Sequence, residues 1–233
     1  MSAHSPENIH IPIFGGQGTL SFDPDNARKQ LRRYTAFPSG ALLVASCYAA
    51  FHAEIDSLTA DYLQKVNICA LDFKEKVRLF CPLREEYLRN PVISGTTLLL
   101  VQALQYLTFI EESHGFSENP KQFLKTVQLN ASNGVGVLGF SSGILTACVA
   151  AASCAVVAFI THTVEAYRLA FWIGVRSQLF RSTLIGCSPF QELHSWVMVL
   201  FFVDKIDIQT RVQSFNEVRF RYSLMCTFLN DTP

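Results

Sequence analysis

From Thr126 to Val164 the chain carries no Asp, Glu, Lys or Arg, a stretch of 39 residues without a formal charge. Such a run is stable either inside a protein core or inside a bilayer. Its most apolar part, Ile144 to Ile160, is 17 residues long and interrupted by Thr146 and Ser153, whereas a helical span needs about 20. Ahead of it stand Asn130, Ser132 and Asn133, with glycines at 134, 136, 139 and 143. Those glycines suit a strand and a tight turn. The flanks show no Lys/Arg asymmetry of the kind that orients a span. The run therefore reads as a buried strand over 135–140 followed by a buried helix from Ile144. A small membrane protein spanning about 144–160 is the rival reading.

Composition narrows the class. Lys plus Arg equals Asp plus Glu at 19 each, which argues against a nucleic-acid partner, since that function calls for a basic excess. Seven cysteines are scattered without a CxxC pair or a Cys/His cluster at zinc spacing, so no metal site is expected. The first residues, Met1 to Asn8, lack a basic segment followed by an apolar one, so no secretory signal is read. The expected setting is a reducing cytoplasm with free thiols, in which the sequons at Asn130 and Asn230 are chance matches.

Along the chain, "IHIPIF" (9–14) alternates like a strand and runs into Gly15-Gly16-Gln17-Gly18. A polar helix is expected over 26–33. A second helix, 39–59, puts Leu43, Cys47, Ala50, Phe51 and Ile55 on one face. Residues 60–90 are mixed, with Pro82 and Pro91 as breakers. A long apolar helix covers 92–113, its turn marked by Ser94-Gly95, and a polar loop and a short basic helix start follow by 127. After the charge-free run, an amphipathic helix over 161–180 aligns Val164, Tyr167, Phe171, Trp172, Val175 and Leu179. A buried strand at 195–203 and a helix at 205–218 come last. Strands alternating with helices indicate an α/β fold with a mostly parallel sheet.

Gly139-Phe140-Ser141-Ser142-Gly143 matches the pattern Gly-x-Ser-x-Gly. At a sharp strand-to-helix turn a serine hydroxyl stands clear of the sheet edge, and small residues two before and two after prevent collision. The helix start also offers N–H groups and a positive dipole end to a developing oxyanion. The plainer alternative is that Ser141 only caps the helix.

Phe14-Gly15-Gly16-Gln17-Gly18-Thr19 resembles the GQG loop of malonyl-CoA:ACP-type acyltransferases. "AFHAEIDSLT", "NPVISGTTLLLVQ" and "VEAYRLAFWIGVRSQ" resemble the starter-unit acyltransferase (SAT) domain of fungal non-reducing polyketide synthases, a likeness that runs from about residue 9 to 218. The resemblance implies an acyltransferase fold, with a core over 1–185 and an incomplete ferredoxin-like subdomain over 186–233. It implies Ser141 as nucleophile and the backbone N–H groups of Gln17 and Ser142 as oxyanion donors. It further implies an acyl group taken from coenzyme A or a donor carrier protein and passed to the phosphopantetheine thiol of an acyl carrier protein. No metal, redox cofactor, nucleic acid or membrane is expected to be involved.

Two departures qualify that expectation. Most SAT domains carry cysteine in this elbow, where this chain has Ser141; serine forms an oxyester and depends more on a base. The family's catalytic histidine lies farther downstream than the 92 residues that follow Ser141, so a truncated product with impaired turnover is expected. His162 and His194 are read as surface or capping residues, His52 and His114 lie in a helix and a loop without a partner pattern, and none is named as catalytic. Arg176 falls where malonyl transferases grip a carboxylate, yet starter groups are usually uncharged, and a surface or ion-pair role is preferred. Gln102 and Gln105 either face the pocket or are satisfied in the core or solvent. A serine hydrolase or thioesterase would share the elbow and transfer to water.

Overall fold

The computed structural model describes residues 11–16, 24–82, 85–114 and 136–187. In order these form β1 (Ile13–Phe14), α1 (Pro24–Tyr34), α2 (Pro38–Ser57), α3 (Ala60–Lys65), three short 3-10 turns between Ala70 and Arg89, α4 (Pro91–His114), β2 (Leu138–Gly139), α5 (Gly143–Ala152) and α6 (Val156–Cys187). The described residues are thus mainly helical. The sheet expected from the sequence is here a single parallel pair, Ile13 facing Leu138 and Phe14 facing Gly139. Leu138 N–H donates to the Pro12 carbonyl at 3.0 Å and Phe140 N–H to that of Phe14 at 2.9 Å. Parallel pairing requires a long crossover, and α1 to α4 lie within it. The expected strand at 195–203, the helix at 205–218 and the basic segment at 121–127 lie outside the described residues.

α4 is the axis of the core. Leu98, Leu99, Leu100, Ala103, Leu104, Leu107 and Ile110 are all buried, and burial on every side suits a helix that is apolar all round. Pro91 fills its first turn, where a missing N–H costs nothing. Asn90 caps it: Oδ1 accepts from Val92 N–H at 3.0 Å while Nδ2 donates to the Val66 carbonyl at 2.8 Å. Ser94-Gly95 is not a turn; both lie inside α4, because the surrounding helix outweighs the local cost of glycine. On α2, the expected face of Leu43, Cys47, Ala50, Phe51 and Ile55 is buried. Phe51 meets Phe73, Tyr167 and Phe171 at ring-centroid distances of 5.0, 6.4 and 5.7 Å.

The apolar run 144–160 is not one helix. Ser153 ends α5, its hydroxyl donating to the Val149 carbonyl at 2.6 Å and lying 3.0 Å from His162 Nδ1. The amphipathic helix expected over 161–180 instead starts at Val156 and runs to Cys187. Tyr167, Phe171 and Val175 are buried on it as expected. Trp172 lies at the rim, its Nε1–H donating to Glu54 at 2.8 Å, and Arg168 pairs with the same carboxylate at 3.4 Å. Among the described residues, two helices, Pro91–Glu112 and Val156–Ser182, are long and apolar enough to cross a membrane by length and composition. The first has 83% of its most apolar window buried within the protein, as a core helix does, and the second 33%.

α4 and α6 touch through backbone at Gly174. A Cβ there would run into Val92 Cα and lie 2.7 Å from the Pro91 carbonyl oxygen. Gly174→Ala is expected to destabilise by about 2 kcal/mol, lowering the melting temperature by roughly 4–8 °C. Gly95, with nothing within 4 Å of its Cβ position, gives the opposite sign: Gly95→Ala stabilises by about 0.5–1 kcal/mol. Thermal unfolding of the two variants checks both.

Candidate active site

β2 turns into α5 within four residues. Gly143 N–H donates to the Phe140 carbonyl at 2.9 Å and Ile144 N–H to that of Ser141 at 3.1 Å. Ser141 sits in this turn with φ of 53°, a conformation that costs a non-glycine residue free energy. Its side chain is exposed. It does not cap the helix, for the N-cap is Ser142, which makes no side-chain cap bond. The Ser142 Oγ is buried and has no hydrogen-bond partner among the described residues.

Three glycines make this corner possible, each by close approach. A Cβ on Gly139 would stand 2.7 Å from Ile144 Cα and from the Gly143 carbonyl oxygen. One on Gly143 would collide with the Phe14 carbonyl and lie 2.6 Å from that of Gly15. One on Gly16 would lie 2.9 Å from Ser141 Cβ and 3.4 Å from Ser141 Oγ. The glycine loop after β1 therefore passes directly beside the serine. The two motifs, far apart in sequence, are neighbours because β1 and β2 pair in parallel.

Polar side chains beneath the corner join its halves. Gln102 on α4 donates from Nε2 to the Gly15 carbonyl at 2.7 Å, and its Oε1 accepts from the Thr146 hydroxyl on α5 at 3.0 Å. Gln102 and Thr146 are both buried. Below them Phe14 meets the Tyr106 ring edge-on at 5.9 Å, and Tyr106 packs on Phe159 at 5.4 Å. Burial pushes the Tyr106 phenol up to about 12, so it stays neutral. Phe140, next to the serine in sequence, and Ile144, at the start of α5, are exposed and give the corner an apolar character.

Of the residues singled out in the sequence, Ser141, Ser142 and Gly16 come together; Gln17 lies outside the described residues. Gln102 is satisfied in the core, and by the site itself. Gln105 is exposed and bonds Tyr34. Arg176 is exposed on α6 and forms no ion pair among the described residues. His52 bonds the Phe73 carbonyl at 3.0 Å and His162 contacts Ser153, as structural histidines do; His194 lies outside the described residues. Thr146 and the bridge through Gln102 were not assigned from sequence. The available signal was a lone glutamine among Leu98 to Val101 and Ala103-Leu104.

The family described as "Starter unit:ACP transacylase in aflatoxin biosynthesis" matches residues 12–220. Among curated proteins, the chain is 36% identical over 216 residues to "Orsellinic acid synthase armB" of Armillaria mellea, covering 90% of this chain and 9% of that protein. It is 36% identical over 214 residues to "Orsellinic acid synthase ArmB" of Armillaria ostoyae, covering 89% and 9%. It is 30% identical over 173 residues to "Orsellinic acid synthase" of Beauveria bassiana, covering 73% and 7%. The chain thus spans less than a tenth of the length of these relatives. No solved structure matches it.

The contact between Gly16 and Ser141 generates a test. Gly16→Ala forces the loop or the serine to shift, and an offset of that kind costs roughly 10- to 100-fold in reactivity. The expected outcome is a fall of that size in the labelling rate of Ser141 by a fluorophosphonate, with a cooperative melting transition retained.

Proposed function

The chain belongs to the starter unit:ACP transacylase family, and from that membership we propose that it transfers starter acyl groups in polyketide synthesis, with Ser141 as the acyl carrier. The fold proposed for it is that of the malonyl-CoA:ACP transacylases, with residues 1–185 as the acyltransferase core and 186–233 belonging to a small ferredoxin-like subdomain.

In the proposed reaction, Ser141 Oγ attacks the carbonyl carbon of an acyl thioester on coenzyme A or a carrier protein. A base accepts the hydroxyl proton, and the tetrahedral oxyanion is held by the N–H groups of Ser142 and Gln17. The C–S bond breaks, the thiol leaves with the proton, and Ser141 holds an oxyester. The phosphopantetheine thiol of an acyl carrier protein then attacks that ester, forming the new thioester and returning the serine. The apolar rim of Phe140 and Ile144 suits an uncharged acyl chain, which gives Arg176 no carboxylate to bind. The base is left unassigned, since His52 and His162 are engaged by Phe73 and Ser153.

One observation carries this reading: an exposed serine at φ 53° between a parallel strand and a helix, with the glycine loop against it. The test is incubation with a series of acyl-CoAs, read by intact mass and peptide mapping. Acylation is expected at Ser141, absent in Ser141→Ala, with discharge onto a phosphopantetheinylated carrier protein. Ser141→Cys is expected to acylate and to change the adduct from an oxyester to a thioester cleaved by neutral hydroxylamine. Labelling that persists in Ser141→Ala refutes the assignment. Release of free acid without carrier-protein product makes the protein a hydrolase.

A further inference from the structure

We propose that Gln102 is a positioning residue, whose buried side-chain amide sets the glycine loop and the nucleophile turn at the spacing acyl transfer requires. Its kinetic consequence rests on the acyl-transfer reading above; the positioning itself does not.

The chemistry of the bridge fixes its direction. The Gly15 carbonyl only accepts, so it must face the NH2 end of the amide, and the Thr146 hydroxyl then donates to Oε1. The two partners lie 87 and 44 residues from Gln102 in sequence, one in each half of the site. Gln102 itself is 6% exposed and stands on α4, whose buried sides anchor it. The bridge therefore refers both mobile-prone halves, a glycine loop and a turn, to the most buried helix of the described core.

The contact acts on the reacting groups through covalent geometry. The Gly15–Gly16 peptide is planar, so holding the Gly15 carbonyl also fixes the direction of the Gly16 N–H and the place of Gly16 Cα. Gly16 is the residue whose Cβ position lies 3.4 Å from Ser141 Oγ, and its own carbonyl carbon bears the Gln17 N–H. Two adjacent glycines have almost no intrinsic conformational preference. A hydrogen bond from a buried helix therefore helps to order them. On the other side, Thr146 is one turn into α5, so its hydroxyl fixes the helix that begins at Gly143, just after its N-cap Ser142.

The test uses the full chain with Gln102→Leu, Gln102→Glu, Thr146→Val and Thr146→Ser. Gln102→Leu keeps the volume but leaves the Gly15 carbonyl without its donor; Gln102→Glu sets an oxygen against it. Two readouts are taken. The first is hydrogen exchange of the peptides covering 11–17 and 138–145, beside the melting temperature. Exchange of both segments is expected to accelerate about tenfold in the Gln102 variants, less in Thr146→Val, and to return to the parent rate in Thr146→Ser. The second is Ser141 acylation by acyl-CoA at varied concentration. A loss of roughly 10- to 100-fold at saturation is expected, with half-saturation within about twofold of the parent, and no further loss when Thr146→Val is added to Gln102→Leu.

Unchanged exchange at both segments overturns the proposal, and so does a loss confined to half-saturation. Should Gln102→Leu fail to fold, Thr146→Val and its rescue by serine decide. If the parent chain does not acylate Ser141, the acyl-transfer reading falls, while the exchange measurement still settles whether Gln102 orders the loop.

Discussion

The end of β1 and the start of α5 meet backbone to backbone, and the rest of the site depends on that approach. The Phe14 and Gly15 carbonyls occupy the space where a Gly143 side chain would be. A hydrogen atom at this position brings the loop after one strand to the turn after the other. Any larger side chain would push the helix away from the loop and take Ser141 with it. The parallel pairing of Phe14 with Gly139 and the Phe140 N–H bond to Phe14 hold the same junction from the strand side.

Beneath that junction the support is helical. α4 is buried along most of its length, touches α6 by backbone at Gly174 and reaches the site through one polar side chain. A buried amide left unpaired would cost about 1–3 kcal/mol. Satisfied at both ends, Gln102 avoids that cost and adds direction, which apolar packing cannot supply. The rim differs in kind: Glu54 is half-buried between Arg168, also half-buried, and Trp172, which is exposed.

Much of the local order is legible in the residues. The stripe from Leu43 to Ile55 and the positions of Tyr167, Phe171 and Val175 follow from helical spacing. The elbow at Ser141 follows from its flanking glycines. What periodicity cannot register is where a helix stops without a proline. Ser153 ends α5 by turning its hydroxyl onto the Val149 carbonyl, so the apolar run divides at a single serine, with no proline or glycine to announce it. Ser94-Gly95 misleads in the opposite direction, since turn-forming residues inside a long buried helix are overruled by packing. The Gln102 bridge was invisible because it depends on contacts across 87 residues of chain, which no local pattern encodes.

The left-handed torsion at Ser141 also limits which side chains the corner admits. A second substituent on Cβ clashes with the backbone at positive φ, so threonine, although it bears the same hydroxyl, is barred from the corner by shape. Serine and cysteine, unbranched and nearly equal in outline, are both admitted. The choice between oxygen and sulfur at this position is thus conformationally open, while the choice between a primary and a secondary alcohol is closed.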